Sequence, residues 1–190
     1  RNSLEKVGFK ETLIVVSAMG KTTNALEAII ETYFKNKKQT PKGILALKQF
    51  HLDVVKDLFR EESGEIETAI HQLFEELIAF FNTNKSPDYS FVYDQVVSYG
   101  ELLSTTIIHH FIQKKKIDSF WLDARNCIKT DDYYRAANLN WELTQTNIQT
   151  QAGNRSLLIT QGFIGSNSNN FTTTLGREGS DYSAAIFGYA

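Results

Sequence analysis

The sequence predicts one α/β domain with a largely parallel sheet, and three observations lead to that fold class. An apolar run rich in β-branched residues, 13–16, is followed at once by a short turn containing Gly20, as expected for a buried strand that enters a loop. Helical periodicity follows, and further strand-like runs lie at 120–122 and 157–160. Strands separated by helical connections form parallel sheets, so ligands are expected at the carboxyl ends of the strands.

The first half of the chain is predicted to contain three amphipathic helices. Its apolar residues recur at helical spacing, which places them on one face of each helix. In chain order the three faces are Leu26, Ile29, Ile30, Tyr33 and Phe34; Leu47, His51, Val54, Val55 and Leu58; and Ile66, Ile70, Leu73, Leu77 and Phe81. Pro41 with Gly43, and Ser63 with Gly64, predict the breaks between these helices.

The second half mixes helices, strands and loops. Residues 89–116 keep the helical pattern, and a bend is predicted at Gly100. Residues 165–170 are predicted to form an exposed loop, and residues 179–181 to cap a last helix that continues through Ile186. Neither an internal repeat nor a domain linker is visible.

The composition is that of an ordinary globular domain. Hydrophobic residues make up 42% and charged residues 22% of 190, which is enough to build a core without disulfide or metal staples. The single cysteine, Cys127, excludes an internal disulfide. We interpret it as a small buried residue in a reducing compartment, and the cytoplasm fits best.

The charge balance gives no reason to expect a nucleic-acid or membrane partner. The net charge is −2, so no overall electrostatic attraction to phosphate-rich surfaces is predicted. No apolar stretch approaches the ~20 residues needed to span a bilayer. The chain begins at Arg1 without a methionine, which predicts a trimmed N-terminus.

The first candidate ligand loop is residues 17–24. Its Gly20-Lys21-Thr22 matches the last three positions of a phosphate-binding Walker loop, but the glycine that should open that pattern is replaced by Val15. A structural turn would explain Gly20 alone. The hydroxyls of Ser17 and Thr23 at a strand-to-helix junction suit an oxygen-rich ligand equally well, so both interpretations stay open.

The second candidate is the acidic residue Glu101, directly after Gly100. A carboxylate in a first helical turn is stabilised by the helix dipole. The alternative role is to hold a substrate ammonium group, and the spacing does not decide between the two.

The third candidate is the segment around Arg177. Two glycines, Gly162 and Gly165, follow a predicted strand, and Arg177 lies between Gly176 and Gly179. Glycine costs backbone entropy, so a ligand explains this segment better than a simple connection does. An arginine grips a carboxylate through two parallel hydrogen bonds, and Ser180 and Asp181 at the following helix start could position neighbouring groups.

Four sequence blocks together resemble the aspartokinases of the amino-acid kinase family. They are residues 15–24, Gly100-Glu101, residues 161–166, and residues 172–177 with 179–183. The blocks stand in the family's order and span nearly the whole chain. The last block resembles the aspartokinase version of the substrate loop rather than the version of glutamate, acetylglutamate or nucleotide-specific relatives.

The resemblance implies a three-layer α/β/α sandwich and a set of site residues. Glu101 would hold the ammonium group of aspartate and Arg177 its α-carboxylate. Asp181 would organise the active centre as a catalytic residue. The other implied positions are Thr23 and Ser180 in the same pocket, Phe163 lining it, and Ser17 and Gly20 near the phosphates.

The resemblance also implies the reaction. ATP, with Mg²⁺, would phosphorylate the side-chain carboxylate of L-aspartate to give 4-phospho-L-aspartate, the first step of lysine, threonine and methionine biosynthesis. A cytoplasmic enzyme that is a homo-oligomer at full length is implied as well.

Two departures from the family pattern accompany the resemblance. Glu178 stands where the family usually has a glycine, and its carboxylate would lie beside the anion pocket. The family's Lys-Phe-Gly-Gly segment has no counterpart before Leu13, and the chain ends at Ala190, before the adenine contacts and the regulatory ACT domains. Residues 1–190 are therefore expected to be a partial catalytic domain, incomplete at both ends and inactive alone.

Other functions remain open at this point. Another member of the amino-acid kinase family with a different acceptor is one alternative. A non-catalytic amino-acid sensor that kept the pocket is a second. A purely structural domain would leave the glycine-bounded Arg177 unexplained.

Overall fold

Three parallel strands form the central sheet of this computed structural model, which describes residues 10–190. They are β1 (Thr12–Val16), β2 (Phe120–Leu122) and β3 (Leu157–Gln161), in the order β1-β3-β2. Val16 pairs with Gln161 and Leu122 with Thr160, so the carboxyl ends of the strands meet at one edge. The expectations for the residues before Lys10 lie outside the described part of the chain.

Eight α-helices accompany the strands in residues 10–190. They are α1 (Thr22–Lys35), α2 (Thr40–Phe59), α3 (Gly64–Thr83), α4 (Tyr89–Val97), α5 (Tyr99–Lys114), α6 (Ala124–Cys127), α7 (Trp141–Ala152) and α8 (Gly179–Tyr189). Short 3₁₀ turns at Lys37–Gln39 and Arg60–Glu62 separate α1, α2 and α3.

Alternate residues of β3 face opposite layers, as the pleat of a strand requires. Leu157 and Ile159 pack with Ile112 of α5 on one face. Leu158 packs on the other face in a cluster that includes Ile148 of α7 and Ile186 of α8. Helices therefore cover both faces of a parallel sheet, which confirms the predicted three-layer α/β/α architecture.

The largest apolar cluster lies among the helices of the first half. Its central side chains are fully buried; they include Leu26, Ile30, Ile66, Ile70, Phe74 and Leu77. The three predicted amphipathic helices are confirmed. Two positions depart from the predicted faces: Phe34 of α1 and Leu58 of α2 are exposed, and Phe59 is buried beside Leu58.

The helix break predicted at Ser63 and Gly64 is confirmed, whereas the break predicted at Pro41 and Gly43 lies a few residues earlier. Pro41 and Gly43 lie inside the first turn of α2, where a proline is tolerated because its missing N–H would be unpaired anyway. A Cβ on Gly43 would lie 2.7 Å from Ile29, so this glycine allows close helix packing rather than a break. The predicted bend at Gly100 falls instead at Ser98, between α4 and α5.

The predicted exposed loop 165–170 is wrong for its first half. Strand β4 (Ile164–Ser166) pairs antiparallel with β5 (Thr172–Thr174), and both are buried. Polar side chains are tolerated there because they are bonded; the Ser166 hydroxyl donates to the Arg125 carbonyl at 2.7 Å. Only residues 168–170 form an exposed turn.

Two further expectations have clear outcomes. Cys127 is fully buried, as predicted, and burial raises the pKa of its thiol to about 12. Residues 179–181 form the first turn of α8 rather than its cap, because the N-cap position is Glu178. Within residues 10–190, no helix combines the length and apolar character that a membrane crossing requires.

Candidate active site

A cavity of about 360 Å³ opens at the carboxyl ends of β1 and β3. Loops following both strands and the first turns of α1, α5 and α8 meet there. The lining residues are Ser17, Ala18, Thr23, Glu101, Phe163, Gly176, Glu178, Gly179, Ser180 and Asp181. Most of the side chains singled out from the sequence are thus brought together from three distant parts of the chain.

The loop after β1 supplies hydroxyls to this cavity. Ser17 follows the strand directly, and Thr23 lies in the first turn of α1. Gly20 has a φ of +57°, a backbone conformation that favours glycine, and it lies outside the cavity lining. The turn interpretation of Gly20 therefore has structural support, while its phosphate role stays a prediction.

Glu101 is the most unusual group in the cavity. Its side chain is only 3% exposed, and its Oε1 accepts a hydrogen bond from the Ala18 N–H at 3.2 Å. No partner within residues 10–190 reaches Oε2. Burial raises the pKa of this carboxyl to about 8, and the Ala18 N–H opposes that shift only in part. A buried carboxylate oxygen without a partner is energetically costly unless a ligand satisfies it.

Two small residues, Gly100 and Ser104, hold the Glu101 helix against the first loop. A Cβ on Gly100 would lie 2.8 Å from the Ala18 Cβ, so only glycine allows α5 to approach the loop this closely. The Ser104 hydroxyl, one turn further along α5, donates to the Ser17 carbonyl at 2.7 Å. The role of Ser104 was missed from the sequence, although its spacing from Glu101 places both on neighbouring positions of one helix face.

The turn after β3 forms a second wall. Gly162 lies against α8, because a Cβ there would be 2.8 Å from the Ser180 Cα. Phe163 has a φ of +68°, which is uncommon for an aromatic residue. Its N–H donates to the Ser183 hydroxyl at 2.9 Å, and its carbonyl accepts from the Leu175 N–H at 2.8 Å. These bonds hold the ring at the cavity.

The segment from Gly176 to Asp181 forms the third wall. Gly176 has a φ of +80°, and the Gly179 N–H donates to its carbonyl at 3.1 Å, which closes a tight turn. Helix α8 begins at Gly179, so the N-terminal end of this helix lies at the wall formed by Ser180 and Asp181. Such a helix start favours an anionic group.

Two residues of this segment depart from the sequence expectations in different ways. Arg177 is exposed and lies outside the cavity lining, so its predicted grip on a carboxylate stays a prediction. Glu178, in contrast, lines the cavity and has a φ of +57°. The left-handed backbone gives a physical reason for the glycine that the resemblance leads one to expect there.

The described residues contain no ready-made metal centre. Within residues 10–190, no group of three or more histidine, cysteine or acidic side chains is arranged to hold a metal ion. The carboxylates of Glu101, Glu178 and Asp181 share the cavity without forming such a group.

A larger groove of about 420 Å³ lies elsewhere, between α1 and α2. It is mainly apolar, and its lining includes Ala25, Ile29 and Gly43. No carboxylate lines it. We therefore place the candidate chemistry in the smaller cavity, where buried and exposed charges converge with hydroxyls and a helix start.

The fold and the cavity together define an α/β domain with a polar cavity at the carboxyl ends of its parallel strands. Over residues 2–190 the sequence matches the amino acid kinase family, and the chain belongs to that family.

Two similar proteins are aspartokinases. The chain is 30% identical over 182 residues to lysine-sensitive aspartokinase 3 of Escherichia coli K12, covering 94% of this chain and 39% of that protein. It is 29% identical to an aspartokinase of Chlamydia pneumoniae, covering 93% of this chain and 38% of that one. The resemblance to aspartokinases is thereby confirmed, and the chain spans about two fifths of the length of these relatives.

Solved structures agree with this relationship. Aspartokinase III of E. coli in complex with lysine and aspartate superposes with a TM-score of 0.87 at 27% identity, covering 98% of this chain and 42% of that one. The complex of the same enzyme with aspartate and ADP gives a TM-score of 0.83 at 29% identity, covering 93% of this chain and 39% of that one.

Proposed function

We propose that the protein containing this chain is an ATP-dependent aspartate kinase, and that residues 1–190 belong to the acceptor-binding part of its catalytic domain. The observation that carries the proposal is the Glu101 carboxyl, buried in a cavity with one oxygen unpartnered among the described residues. An acceptor that brings an ammonium group would satisfy that oxygen. The aspartate bound in the similar E. coli enzyme supports this choice of acceptor.

The cavity has further groups that suit an amino acid with two carboxylates. The first turn of α8 and the hydroxyls of Thr23 and Ser180 offer hydrogen-bond donors to anionic oxygens. Arg177, on the same segment, would pair with the α-carboxylate once the segment closes over the acceptor. The Phe163 ring would cover the carbon chain.

The reaction would need little covalent help from the protein. The side-chain carboxylate of aspartate is ionised at neutral pH, so it attacks the γ-phosphorus without a general base. An oxygen–phosphorus bond forms to the carboxylate as the bond to the β-phosphate oxygen breaks, and ADP leaves. The protein's task is to align the two anions and to reduce their repulsion.

We assign the phosphate side of the cavity to Ser17 and the loop that follows it. ADP bound in the similar E. coli enzyme supports a nucleotide substrate. We infer that ATP enters as its magnesium complex, because Mg²⁺ is commonly held by substrate phosphates with few protein ligands. Asp181 would accept hydrogen bonds from neighbouring amide or cationic groups and so organise this centre.

The cellular setting follows from the proposed reaction. The product, 4-phospho-L-aspartate, would serve lysine, threonine and methionine biosynthesis. We propose a cytoplasmic enzyme that assembles as a homo-oligomer at full length.

The test is a calorimetric titration of the chain with L-aspartate, D-aspartate and L-glutamate, and with Mg-ATP in a separate run. We expect selective binding of L-aspartate. A coupled ADP-release assay on the full-length protein, with the same three acceptors at equal ATP, then tests the reaction. Turnover with another acceptor and none with L-aspartate would contradict the proposal and favour a different member of the family.

A further inference from the structure

Asp94 is a charged residue at the centre of the buried face of α4. Its side chain is 0% exposed, although its neighbours in the sequence include the buried apolar Val92 and Val96. Three donors satisfy the carboxylate. The Arg135 N–H lies 3.1 and 3.0 Å from the two oxygens, and the Thr174 N–H and hydroxyl donate at 2.9 and 2.8 Å.

These donors come from two segments that lie behind one wall of the cavity, the wall that begins at Gly176. Thr174 ends β5 and is followed by the turn at Gly176. A Cβ on Gly176 would lie 3.3 Å from the Arg135 carbonyl oxygen, so the Arg135 loop is the surface against which that turn rests. The Ala137 N–H donates to the Thr174 carbonyl at 2.9 Å and joins the same two segments again.

Asp94 is also tied to the opposite wall. Only Ser98 separates α4 from α5, and the Leu102 N–H donates to the Ser98 carbonyl at 3.1 Å. Glu101 lies in this first turn of α5. The Asp94 carboxylate therefore connects α4, which Ser98 joins to the helix that carries Glu101, to the strand that leads into the segment with Arg177.

We propose that Asp94 is a positioning residue that fixes the Gly176–Ser180 segment relative to Glu101, and so sets the affinity for the α-carboxylate of the acceptor. The inference rests on the proposed function. An ionised carboxylate accepts from all three donors at once, whereas an amide offers one acceptor oxygen and turns an N–H₂ group towards the remaining donors. In an Asp94→Asn variant, at least one of the two segments must move.

The neighbouring Gln95 provides a matched control. Its amide accepts from the Thr172 N–H at 3.1 Å and donates to the Thr172 carbonyl at 2.7 Å. It therefore holds the same strand, but at its N-terminal end, which is the end further from Gly176. A Gln95→Leu variant removes a comparable number of hydrogen bonds from β5 without touching the bonds next to the cavity.

The test compares L-aspartate with β-alanine, which keeps the ammonium group and the reacting carboxylate but lacks the α-carboxylate. Dissociation constants are measured calorimetrically, with β-alanine in competition mode, on folded wild-type, Asp94→Asn and Gln95→Leu protein. For Asp94→Asn we expect the constant for L-aspartate to rise about tenfold and the constant for β-alanine to change less than twofold. Gln95→Leu should lower thermal stability and leave both constants within about twofold. These fold-changes correspond to the loss of one buried, charge-assisted contact.

A smaller perturbation covers the case in which Asp94→Asn does not fold. Thr174→Val removes only the hydroxyl donor and should weaken L-aspartate binding about threefold, and Thr174→Ser should restore it. Equal weakening of L-aspartate and β-alanine, or no weakening at all, would overturn the inference. Failure of the wild-type protein to bind L-aspartate would instead overturn the proposed function together with the inference that rests on it.

Discussion

The helices of the first half and the walls of the cavity are both buried, but they bury different kinds of atoms. Helices α1, α2 and α3 bury leucine, isoleucine and phenylalanine side chains in one apolar cluster. Around the cavity the fully buried side chains include Thr160, Gln161, Thr173, Thr174 and Asp94. Nearly all of these polar groups are paired; Gln161, for example, accepts from the Ala124 N–H at 2.8 Å and donates to the Thr105 hydroxyl at 2.9 Å.

The difference teaches how each region responds to change. Apolar packing is non-directional, so its loss costs stability roughly in proportion to the buried volume. Buried hydrogen bonds are directional, and losing one partner leaves another group unsatisfied. We therefore expect substitutions in the helices to change the free energy of unfolding, and substitutions at the cavity to change ligand affinity.

The largest expected effect belongs to the apolar region. Phe74 is 0% exposed, and Phe74→Ala should lower the free energy of unfolding by about 3 to 5 kcal/mol because it leaves a cavity in the cluster. Urea denaturation measures this loss. The matched control is Phe50→Ala on the same helical layer, because Phe50 is 42% exposed and should cost much less.

The Phe74→Ala variant also checks the independence of the two regions. Measured on the folded fraction, its dissociation constant for L-aspartate should stay within about twofold of the wild-type value, because Phe74 does not line the cavity. A large loss of affinity with intact folding would show that the helical cluster and the cavity are coupled.

Glu101→Gln should give the largest change in affinity. The amide cannot form an ion pair with the ammonium group, and a buried charge pair of this kind is worth ~2–5 kcal/mol. We expect L-aspartate to bind about 100-fold more weakly, measured by calorimetry, since each ~1.4 kcal/mol corresponds to a factor of ten. Glu75→Gln, an exposed position on α3, is the control. Unchanged affinity in Glu101→Gln would remove the main support for the proposed function.

The helical region could be predicted from the sequence because one variable, apolar burial, decides it. The spacing of Leu26 and Ile30 in α1, and of Ile66 and Ile70 in α3, follows directly from the period of the helix. The misassigned Leu58 shows the limit, since neighbouring positions such as Phe59 compete for the same face. Element bounds shift by a few residues for the same reason.

The cavity walls could be predicted only in part, because their burial depends on partners far away in the chain. Polar residues such as Ser166 suggested exposure, yet the Lys129 amine donates to its hydroxyl at 2.8 Å within the fold. Asp94 gave one local signal, an acid within the apolar run of residues 91–97. Its donors at Arg135 and Thr174 could not be read from that signal. Sequence motifs predicted most of the residues that line the cavity, and long-range hydrogen bonds determine its shape.

The next largest effect is the pH dependence of stability, which we expect from the cavity and not from the apolar helical cluster. The folded-state pKa of Glu101 is raised from 4.5 to about 8 by burial, so its contribution to stability is fully present below about 4.5 and is lost as the pH rises through 8. A shift of one pKa unit corresponds to about 1.4 kcal/mol, so the loss should be at least of that size. Thermal unfolding from pH 5 to pH 9 measures it, and Glu101→Gln should flatten the decrease.

Aspartate affinity should follow the opposite trend over part of this range. An ammonium group binds the ionised form of Glu101, so binding should strengthen as the pH rises towards 8, by up to about tenfold per unit. Calorimetry at pH 6, 7 and 8 checks this. A pH-independent dissociation constant would mean that Glu101 is already ionised in the free protein.

The smallest expected effect is at Glu178, where one substitution should change both the free energy of unfolding and the affinity for L-aspartate. Glu178 has a left-handed backbone and lines the cavity, so Glu178→Gly should raise the free energy of unfolding by roughly 1 kcal/mol by relieving strain. Removing a carboxylate beside the acceptor should also strengthen L-aspartate binding, a few-fold at low salt and less at high salt. Lys116→Gly is the matched control, because Lys116 has a φ of +58° and is exposed outside the cavity lining. It should reproduce the gain in stability without the gain in affinity. If both variants gain stability and neither gains affinity for L-aspartate, the Glu178 carboxylate points to solvent. Residue 178 would then affect the protein only through its backbone conformation.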